Sequence, residues 1–314
     1  SFRLRREPDD MGRLVGNGLS IVTARNYGSN DENQIKKSVA GSIVIGIGLT
    51  LLIMLISLLF LYPLLQLLHT PIHIIDEAYS YIFVVTIFVG VMFAYNLCAG
   101  LLRAIGNSVM PLIFLIISSL INVGLDILLI TQFAMGVQGA AVATVISQAI
   151  SVILCIFYIY KKTPILIPCR EHFTVDKGLY KELLGQGFSM GFMMSIVSAG
   201  TVILQSAIND FGYLIIAGHG TARKLNSFCM MPAGTIGLAL STFVSQNKGA
   251  NQQQRIRDGV RYGNLIACAW GALITVILFF GAPLLVQLIS GSREPTVIDN
   301  ATLYLRINAP FYAV

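Results

Sequence analysis

Residues 16–30 of this chain read GNGLSIVTARNYGSN, and residues 237–251 read GLALSTFVSQNKGAN. The two stretches align without a gap. Their identical pairs are Gly16/Gly237, Leu19/Leu240, Ser20/Ser241, Asn26/Asn247, Gly28/Gly249 and Asn30/Asn251. One such match has little weight alone, but further matches follow it in the same order along the chain.

Two later segments repeat at nearly the same offset. Pro63-Leu64-Leu65 is matched by Pro283-Leu284-Leu285, and residues 75–81 (IDEAYSY) are matched by residues 298–304 (IDNATLY). Ordered matches at a steady offset indicate a duplicated unit. Internal duplication inside a membrane protein is typical of transporters.

The composition is that of a membrane protein, with 55% hydrophobic and 11% charged residues. A soluble domain has about 25% charged residues. The charges cluster and leave long charge-free runs, and a span needs about 20 apolar residues. The helices predicted from these runs are 39–62, 79–102, 109–131, 138–160, 183–208, 214–246 and 261–288, with a further helix opening near residue 300.

The formal net charge is +6, and its placement favours a membrane over nucleic acid as the partner. The basic residues occupy alternate connections between apolar runs, which is the positive-inside pattern of a multi-pass protein. We therefore expect these connections to face the cytoplasm from the plasma membrane, with no nucleic-acid binding. The residues concerned are Lys36, Lys37, Arg103, Lys161, Lys162, Arg170, Lys177, Lys181, Lys248, Arg255, Arg257 and Arg261.

Domain organisation follows from the charge distribution and the repeat. Residues 1–13 form a charged leader that interrupts the apolar pattern, and a helix ending near Arg25 follows it. Residues 161–181 are the longest polar connection, so we expect a linker there between lobes 14–160 and 182–314. The second copy of the repeat has a complete helix before Asn247, whereas the first lacks its start, so we expect a truncated chain with a non-native leader.

Several kinds of site are not expected. The five cysteines show neither metal-ligand spacing nor a disulfide framework. Gly16-Asn17-Gly18 and Gly185-Gln186-Gly187 lack the strand and the lysine of a phosphate-binding loop. No His, Asp or Glu cluster has catalytic spacing. We expect no cofactor, no metal and no enzyme activity, so transport would be driven by an ion gradient.

Three tracts resemble a single family, the multidrug and toxic compound extrusion (MATE) transporters. Residues 100–111, GLLRAIGNSVMP, resemble the loop between that family's helices four and five. Residues 122–126, NVGLD, followed by 136–144, GVQGAAVAT, are similar to its helices five and six. Residues 231–250 resemble its eighth helix and the following loop. The resemblance runs from about residue 14 to the end of the chain.

The resemblance implies an all-α polytopic bundle of two duplicated six-helix lobes, with about seven helices complete here and two partial. It also implies a monomer that exports organic, often cationic, compounds in exchange for protons or sodium ions. The residues that this chain shares with the family's cation site are Asn122, Asp126 and Thr144. Asp126 is the only acid between Arg103 and Lys161, and an acid at a helix centre costs about 2.5–3.5 kcal/mol on insertion.

Four further residues are candidates to line a substrate cavity. Arg223 interrupts an apolar helix, and His219 precedes it by one helical turn. Gln205 and Asn226 are polar residues within charge-free runs. Two alternatives stay open: a lipid-linked sugar flippase of the same broad superfamily, and a non-transporting fragment. A membrane-embedded enzyme is disfavoured because the chain has no His, Asp or Glu cluster at catalytic spacing.

Overall fold

The described part of the computed structural model is built of α-helices. It describes residues 7–67, 79, 83, 86, 88–133, 136–174, 176–209, 211–291 and 294–313, and contains no β-strand among them. The helices are α1 (Glu7–Gly28), α2 (Glu32–Leu67), α3 (Val89–Ala104), α4 (Val109–Thr131), α5 (Gly136–Lys162), α6 (Lys177–Asn209), α7 (Tyr213–Gly249), α8 (Gln253–Ser290) and α9 (Pro295–Asn308). Short 3-10 turns occupy Pro164–Leu166, Arg170–His172 and Ala309–Ala313.

The helix lengths confirm the prediction of an all-α polytopic membrane protein. Within the described residues, six helices are long and apolar enough to cross a membrane, namely α2 and α4 to α8. Helix α3 is apolar but shorter, at 16 residues. Large apolar side chains such as Leu120, Ile203 and Phe280 remain exposed along these helices, as expected of surfaces that face lipid.

Several helices are longer than the charge-free runs predicted. Helix α8 begins at Gln253 instead of residue 261, and α6 begins at Lys177 instead of residue 183. The reason is that charge-free runs measure only the segment that lies in lipid, whereas a helix continues through charged turns into water. Of the predicted helix 79–102, the continuously described part is α3, and most of residues 75–81 lie outside the described residues.

The chain divides into two compact units, Ser1–Ser195 and Ile196–Val314, so that the division falls within α6. The lobe boundary and the leader inferred from sequence stay predictions. In the first unit, α1, α2, α3, α5 and the start of α6 share one hydrophobic core. Leu166 from the connection after α5 is also buried in this core.

Small residues allow α1 and α3 to pack closely in the first unit. A methyl group on Gly16 would lie 3.3 Å from the backbone of Asn96, and one on Gly100 would lie 3.1 Å from Ser20. Close backbone approach of this kind is a principal source of helix association in membranes. The guanidinium of Arg103 donates to the Asn17 side chain at 2.8 Å and so ties α3 to α1.

The second unit packs α7, α8 and α9 around a smaller core. Its buried members include Leu225 of α7, Leu278 and Val286 of α8, and Leu305 of α9. The Thr275 hydroxyl of α8 donates to the carbonyl of Ala309 at 2.6 Å, which fixes the turn after α9 against α8.

Candidate functional site

Two hydrogen bonds fix how α4 and α5 pack. The Ser118 hydroxyl donates to the Ser147 carbonyl at 2.7 Å, and the Ser151 hydroxyl donates to the Phe114 carbonyl at 3.2 Å. Residues advance on α4 as they recede on α5, so the helices are antiparallel. Small buried residues on α5, such as Ala143, permit the close approach. We name this contact the α4–α5 seam.

Asn122 and Asp126 continue the face of α4 that carries Phe114 and Ser118, because the four residues repeat at every fourth position. Both side chains are half-buried. Within the described part of the chain, Asn122 Nδ2 and Asp126 Oδ1 are buried without a hydrogen-bond partner. A buried polar atom without a hydrogen-bond partner costs about 1–3 kcal/mol, so a ligand that paired with these atoms would recover that free energy.

Thr144 lies on the α5 side of the same seam. Its hydroxyl donates to the Ala140 carbonyl of its own helix at 2.9 Å. The register set by Ser118 and Ser147 places Thr144 at about the level of Asn122. The register thus places Thr144 near the level of Asn122, with Asp126 one turn further along α4, and no direct hydrogen bond joins the three among the described residues.

Gln148 of α5 is a further polar residue that the sequence analysis did not select. It follows Thr144 by one helical turn, and its Oε1 is buried without a partner in the described structure. The signal in the sequence was a glutamine in a charge-free run, four residues after a threonine already selected.

In the second unit, His219 and Asn226 lie on the same face of α7, and each has a buried polar atom. His219 is 7% exposed, and its ring meets the Tyr304 ring of α9 edge-on, with centroids 5.0 Å apart. His219 Nε2 and Asn226 Oδ1 have no hydrogen-bond partner in the described structure. The hydroxyls of Thr302 and Tyr312, two residues that the sequence analysis did not select, are likewise buried without a hydrogen-bond partner in the described structure.

The other two cavity candidates are less enclosed. Arg223 is half-buried on α7, one turn after His219 and one turn before Asn226. Gln205 lies on α6 and is also half-buried. The structure therefore groups His219, Arg223 and Asn226 along α7 and leaves Gln205 on another helix.

An apolar cavity lies within the first unit between α2, α3 and α6. Its volume is about 290 Å³, and Phe93, Leu183 and Phe188 are among its lining residues. Thr50 and Ser195 supply its hydroxyl groups. None of the residues selected from the sequence lines this cavity, so it is separate from the α4–α5 seam.

The connection after α5 brings together Cys169, Glu171 and His172. Their potential ligand atoms lie within 4.8 Å of one another. However, His172 Nδ1 already accepts the Cys169 backbone N–H at 3.0 Å, as part of a capping box that closes the 3-10 turn. This local hydrogen bonding accounts for the arrangement, and the absence of a metal site stays a prediction.

The lengths and apolar composition of the described helices define a polytopic membrane protein. The family model described as MatE matches residues 12–128 and 190–314. The chain belongs to the MatE family of transporters, as its sequence motifs predicted.

Curated relatives carry names that agree with this family. The chain is 27% identical over 300 residues to "Probable multidrug resistance protein YoeA" of Bacillus subtilis, covering 93% of this chain and 65% of that protein. It is 29% identical over 251 residues to "Probable multidrug resistance protein YpnP" of the same organism, covering 79% and 55%. It is also 24% identical over 304 residues to the "FAD transporter" of Shewanella oneidensis, covering 93% and 65%. The chain thus spans less than two thirds of these relatives.

Solved structures show the same fold. An outward-facing multidrug resistance MATE transporter of the MOP superfamily aligns with a TM-score of 0.88 at 19% identity, over 97% of this chain and 68% of that one. A MOP superfamily transporter from Pyrococcus furiosus, described as having a binding pocket of reverse polarity, aligns with a TM-score of 0.87 at 20% identity, over 97% and 68%.

Proposed function

We propose that the protein is a secondary active antiporter that exports organic, often cationic, compounds in exchange for protons or sodium ions. Its membership of a transporter family supports this proposal. The names of relatives that refer to multidrug resistance and export support the class of substrate. The coupling ion is assigned to the α4–α5 seam, with Asp126 as its charged ligand.

The single observation that carries the proposal is the unsatisfied pair on α4. Asp126 Oδ1 and Asn122 Nδ2 are buried and without partners, one helical turn apart. An acid in a membrane-spanning helix is costly, and such residues mark ion or proton pathways. A coupling ion that reaches Asp126 removes this cost, and its binding energy becomes available to shift the conformation of the protein.

The mechanism we propose is alternating access. An ion that binds one conformation better than the other shifts the equilibrium by that difference in affinity and by no more. Binding at Asp126 would favour the conformation that has low affinity for the exported compound. Release of the ion on the other side would restore the conformation that takes up the compound.

Substrate contacts are assigned to the second unit, at His219, Arg223 and Asn226, with Gln205 as a further candidate on α6. The ring contact between His219 and Tyr304 offers an aromatic surface to an organic compound. We further propose a monomer in the plasma membrane, with the basic connections on the cytoplasmic side and the lipid bilayer as its surroundings.

The proposal is tested with Asp126→Asn in cells that express the full-length protein. We expect loss of ion-dependent efflux of a fluorescent organic cation, because the amide has no charge to neutralise. Asp258→Asn is a matched control, because Asp258 is exposed on α8 and bonded to Gln254 one turn away. Efflux with unchanged ion dependence in Asp126→Asn would refute the coupling role, and lipid flipping without drug efflux would favour the flippase.

A further inference from the structure

The apolar cavity between α2, α3 and α6 has no role in the proposed function. On α6 its lining combines the buried glycines Gly187 and Gly191 with the exposed rings of Phe188 and Phe192. The glycines contribute no side chain to fill the space, and the exposed rings lie at its edge, so the cavity opens at the surface of the first unit. Helices α2 and α6 are both long and apolar enough to cross a membrane, so this opening faces lipid. We name the cavity the α2–α6 groove.

The dimensions of the groove suit one acyl chain. On α6 its lining runs from Leu183 to Ser195, which is about 18 Å along the axis at a rise of 1.5 Å per residue. One leaflet contributes half of a hydrocarbon core that is about 30 Å thick. The volume of about 290 Å³ lies at the lower limit of pockets that enclose a drug-sized compound, which is about 300 Å³. A single extended chain therefore fits the groove better than a bulky organic compound does.

Two lysines of α6 stand at one end of the groove. Lys177, Lys181, Leu184, Phe188 and Phe192 follow one another at steps of three or four residues, so they share one face of the helix. Both lysines are exposed, and the ion pairs recorded among the described residues include neither of them. A lysine side chain tilts toward the N terminus of its helix and keeps its ammonium group in water. This face of α6 is therefore positively charged at one end and apolar along the rest.

Helix α2 approaches the groove from the same end. A methyl group on Gly41 would lie 2.7 Å from Leu183 Cδ1, so these two residues are at one level. The groove is then lined by later residues of both helices, 45–53 of α2 and 184–195 of α6, so the helices are parallel. Lys37 precedes Gly41 by one helical turn. It therefore lies at about the level of the two α6 lysines, and the basic end of the groove has three lysines.

The acids of α6 nearest to these lysines are already engaged. Glu182 forms a two-pronged ion pair with Arg25, in which Oε2 lies 2.8 Å from Nη2. Asp176, just before α6, accepts the backbone N–H of Gly178 at 2.9 Å and so caps the start of the helix. The lysines are therefore the groups available to bind an anion from outside the protein.

We propose that the α2–α6 groove binds one anionic phospholipid of the bilayer, with an acyl chain along Phe188 and Phe192 and the phosphate group at Lys177 and Lys181. Basic pockets between membrane helices recognise anionic headgroups in this way. In the orientation proposed above these lysines face the cytoplasm, so the lipid comes from the inner leaflet. The inference goes beyond the proposed function, because this lipid is neither the coupling ion nor the exported compound.

The test places the full-length protein in phosphatidylcholine bilayers that contain a small fraction of phosphatidylglycerol with a photoactivatable acyl chain. Mass spectrometry then locates the labelled peptides. We expect label at residues 183–195 of the wild type, displaced by unlabelled phosphatidylglycerol. The double variant Lys177→Gln/Lys181→Gln should lower this label by roughly tenfold or more, because each basic group near the surface contributes to the attraction of an anionic lipid. Phosphatidylcholine with the same photoactivatable chain should label this segment weakly, and equally in both proteins.

Arg257→Gln/Arg261→Gln is the matched control, because these exposed residues are also one turn apart near the start of a spanning helix and lie outside the groove. It should leave the label at residues 183–195 unchanged. An equal fall in this control, unchanged label in the lysine variant, or equal labelling by phosphatidylcholine overturns the inference. A wild type without label at residues 183–195 also overturns it, since another part of the full-length protein would then cover the groove. Because label is read without transport, either result leaves the efflux test of Asp126→Asn independent.

Discussion

The turns that follow the two copies of the repeat have the same backbone and different surroundings. Asn30 after α1 and Asn251 after α7 have φ angles of 58° and 56°, and no other non-glycine residue of the described chain has positive φ. The backbone hydrogen bonds also correspond. The bond from Asp31 N to Asn26 O, at 3.4 Å, is matched by that from Gln252 N to Asn247 O, at 2.9 Å.

The side chains of the two turns make different contacts. Asn26 Nδ2 reaches across the turn to the Gln34 carbonyl of α2, whereas Asn247 Nδ2 bonds back to Phe243 of its own helix. Thr23 in the first copy shares a buried hydrogen bond of 3.1 Å with Ser38. The corresponding residues of the second copy are Val244 and Gly259, which cannot form it. The duplication preserved the turn and allowed its contacts to diverge.

The largest loss of stability is expected from a substitution where the first copy of the repeat packs against α6. A methyl group on Gly18 would lie 2.9 Å from the Gln186 carbonyl oxygen and 3.2 Å from the Cα of Gly187. These are backbone atoms that cannot rotate away. We expect Gly18→Ala to destabilise the protein by about 1–3 kcal/mol, as overpacking does elsewhere. Thermal denaturation of the purified protein in detergent measures the change.

Gly237→Ala in the second copy is the matched control. A methyl group there meets no atom within 4 Å. In open space alanine favours a helix over glycine by up to about 1 kcal/mol. The two substitutions should therefore shift the melting temperature in opposite directions. A shift of the same sign and size in both variants would show that the first copy is not packed against α6 as described.

The next largest loss of stability should be equal in the two copies of the repeat. Asn30→Ala and Asn251→Ala each replace asparagine, whose short polar side chain makes the left-handed region tolerable, with alanine, for which this conformation costs about 1–2 kcal/mol. Asn30→Gly and Asn251→Gly should be nearly neutral because glycine adopts this conformation readily. Melting temperatures of the four variants would test this equality. A loss confined to one copy would contradict the shared turn geometry.

The sequence was sufficient to predict the duplicated turn because the repeated asparagine and glycine residues determine local geometry. It also predicted the spanning helices, since these depend on apolar length alone. The extensions of α6 and α8 could not be obtained in the same way. Residues such as Arg255 and Arg257 end a charge-free run without ending a helix.

The candidate site was predictable only in part. Asp126 stands out because it is a single acid in a long apolar run, and Asn122 follows from helical spacing. The register of α5 against α4, in contrast, is fixed by hydrogen bonds from Ser118 and Ser151 to backbone carbonyls. Thr302 lies on α9, far along the sequence from every residue of α7. Contacts of this kind arise from packing between helices and have no local signal.

The smallest effect concerns the charge that distinguishes the two turns. Arg25 forms a two-pronged pair with Glu182 of α6, in which Nη2 lies 2.8 Å from Oε2, and the second copy has Gln246 at the matching position. Both side chains are 34% exposed, so water and salt weaken the attraction. We expect Arg25→Gln to cost about 0.5–1 kcal/mol at low ionic strength and less at high ionic strength.

Glu182→Gln should reproduce this loss, and the double variant should lose little more than either single one, because the pair acts as a unit. Additive losses in the double variant would mean that Arg25 and Glu182 act separately. The shared apolar core and the close approach at Gly18 would then hold the first copy against α6 without a joint contribution from the ion pair.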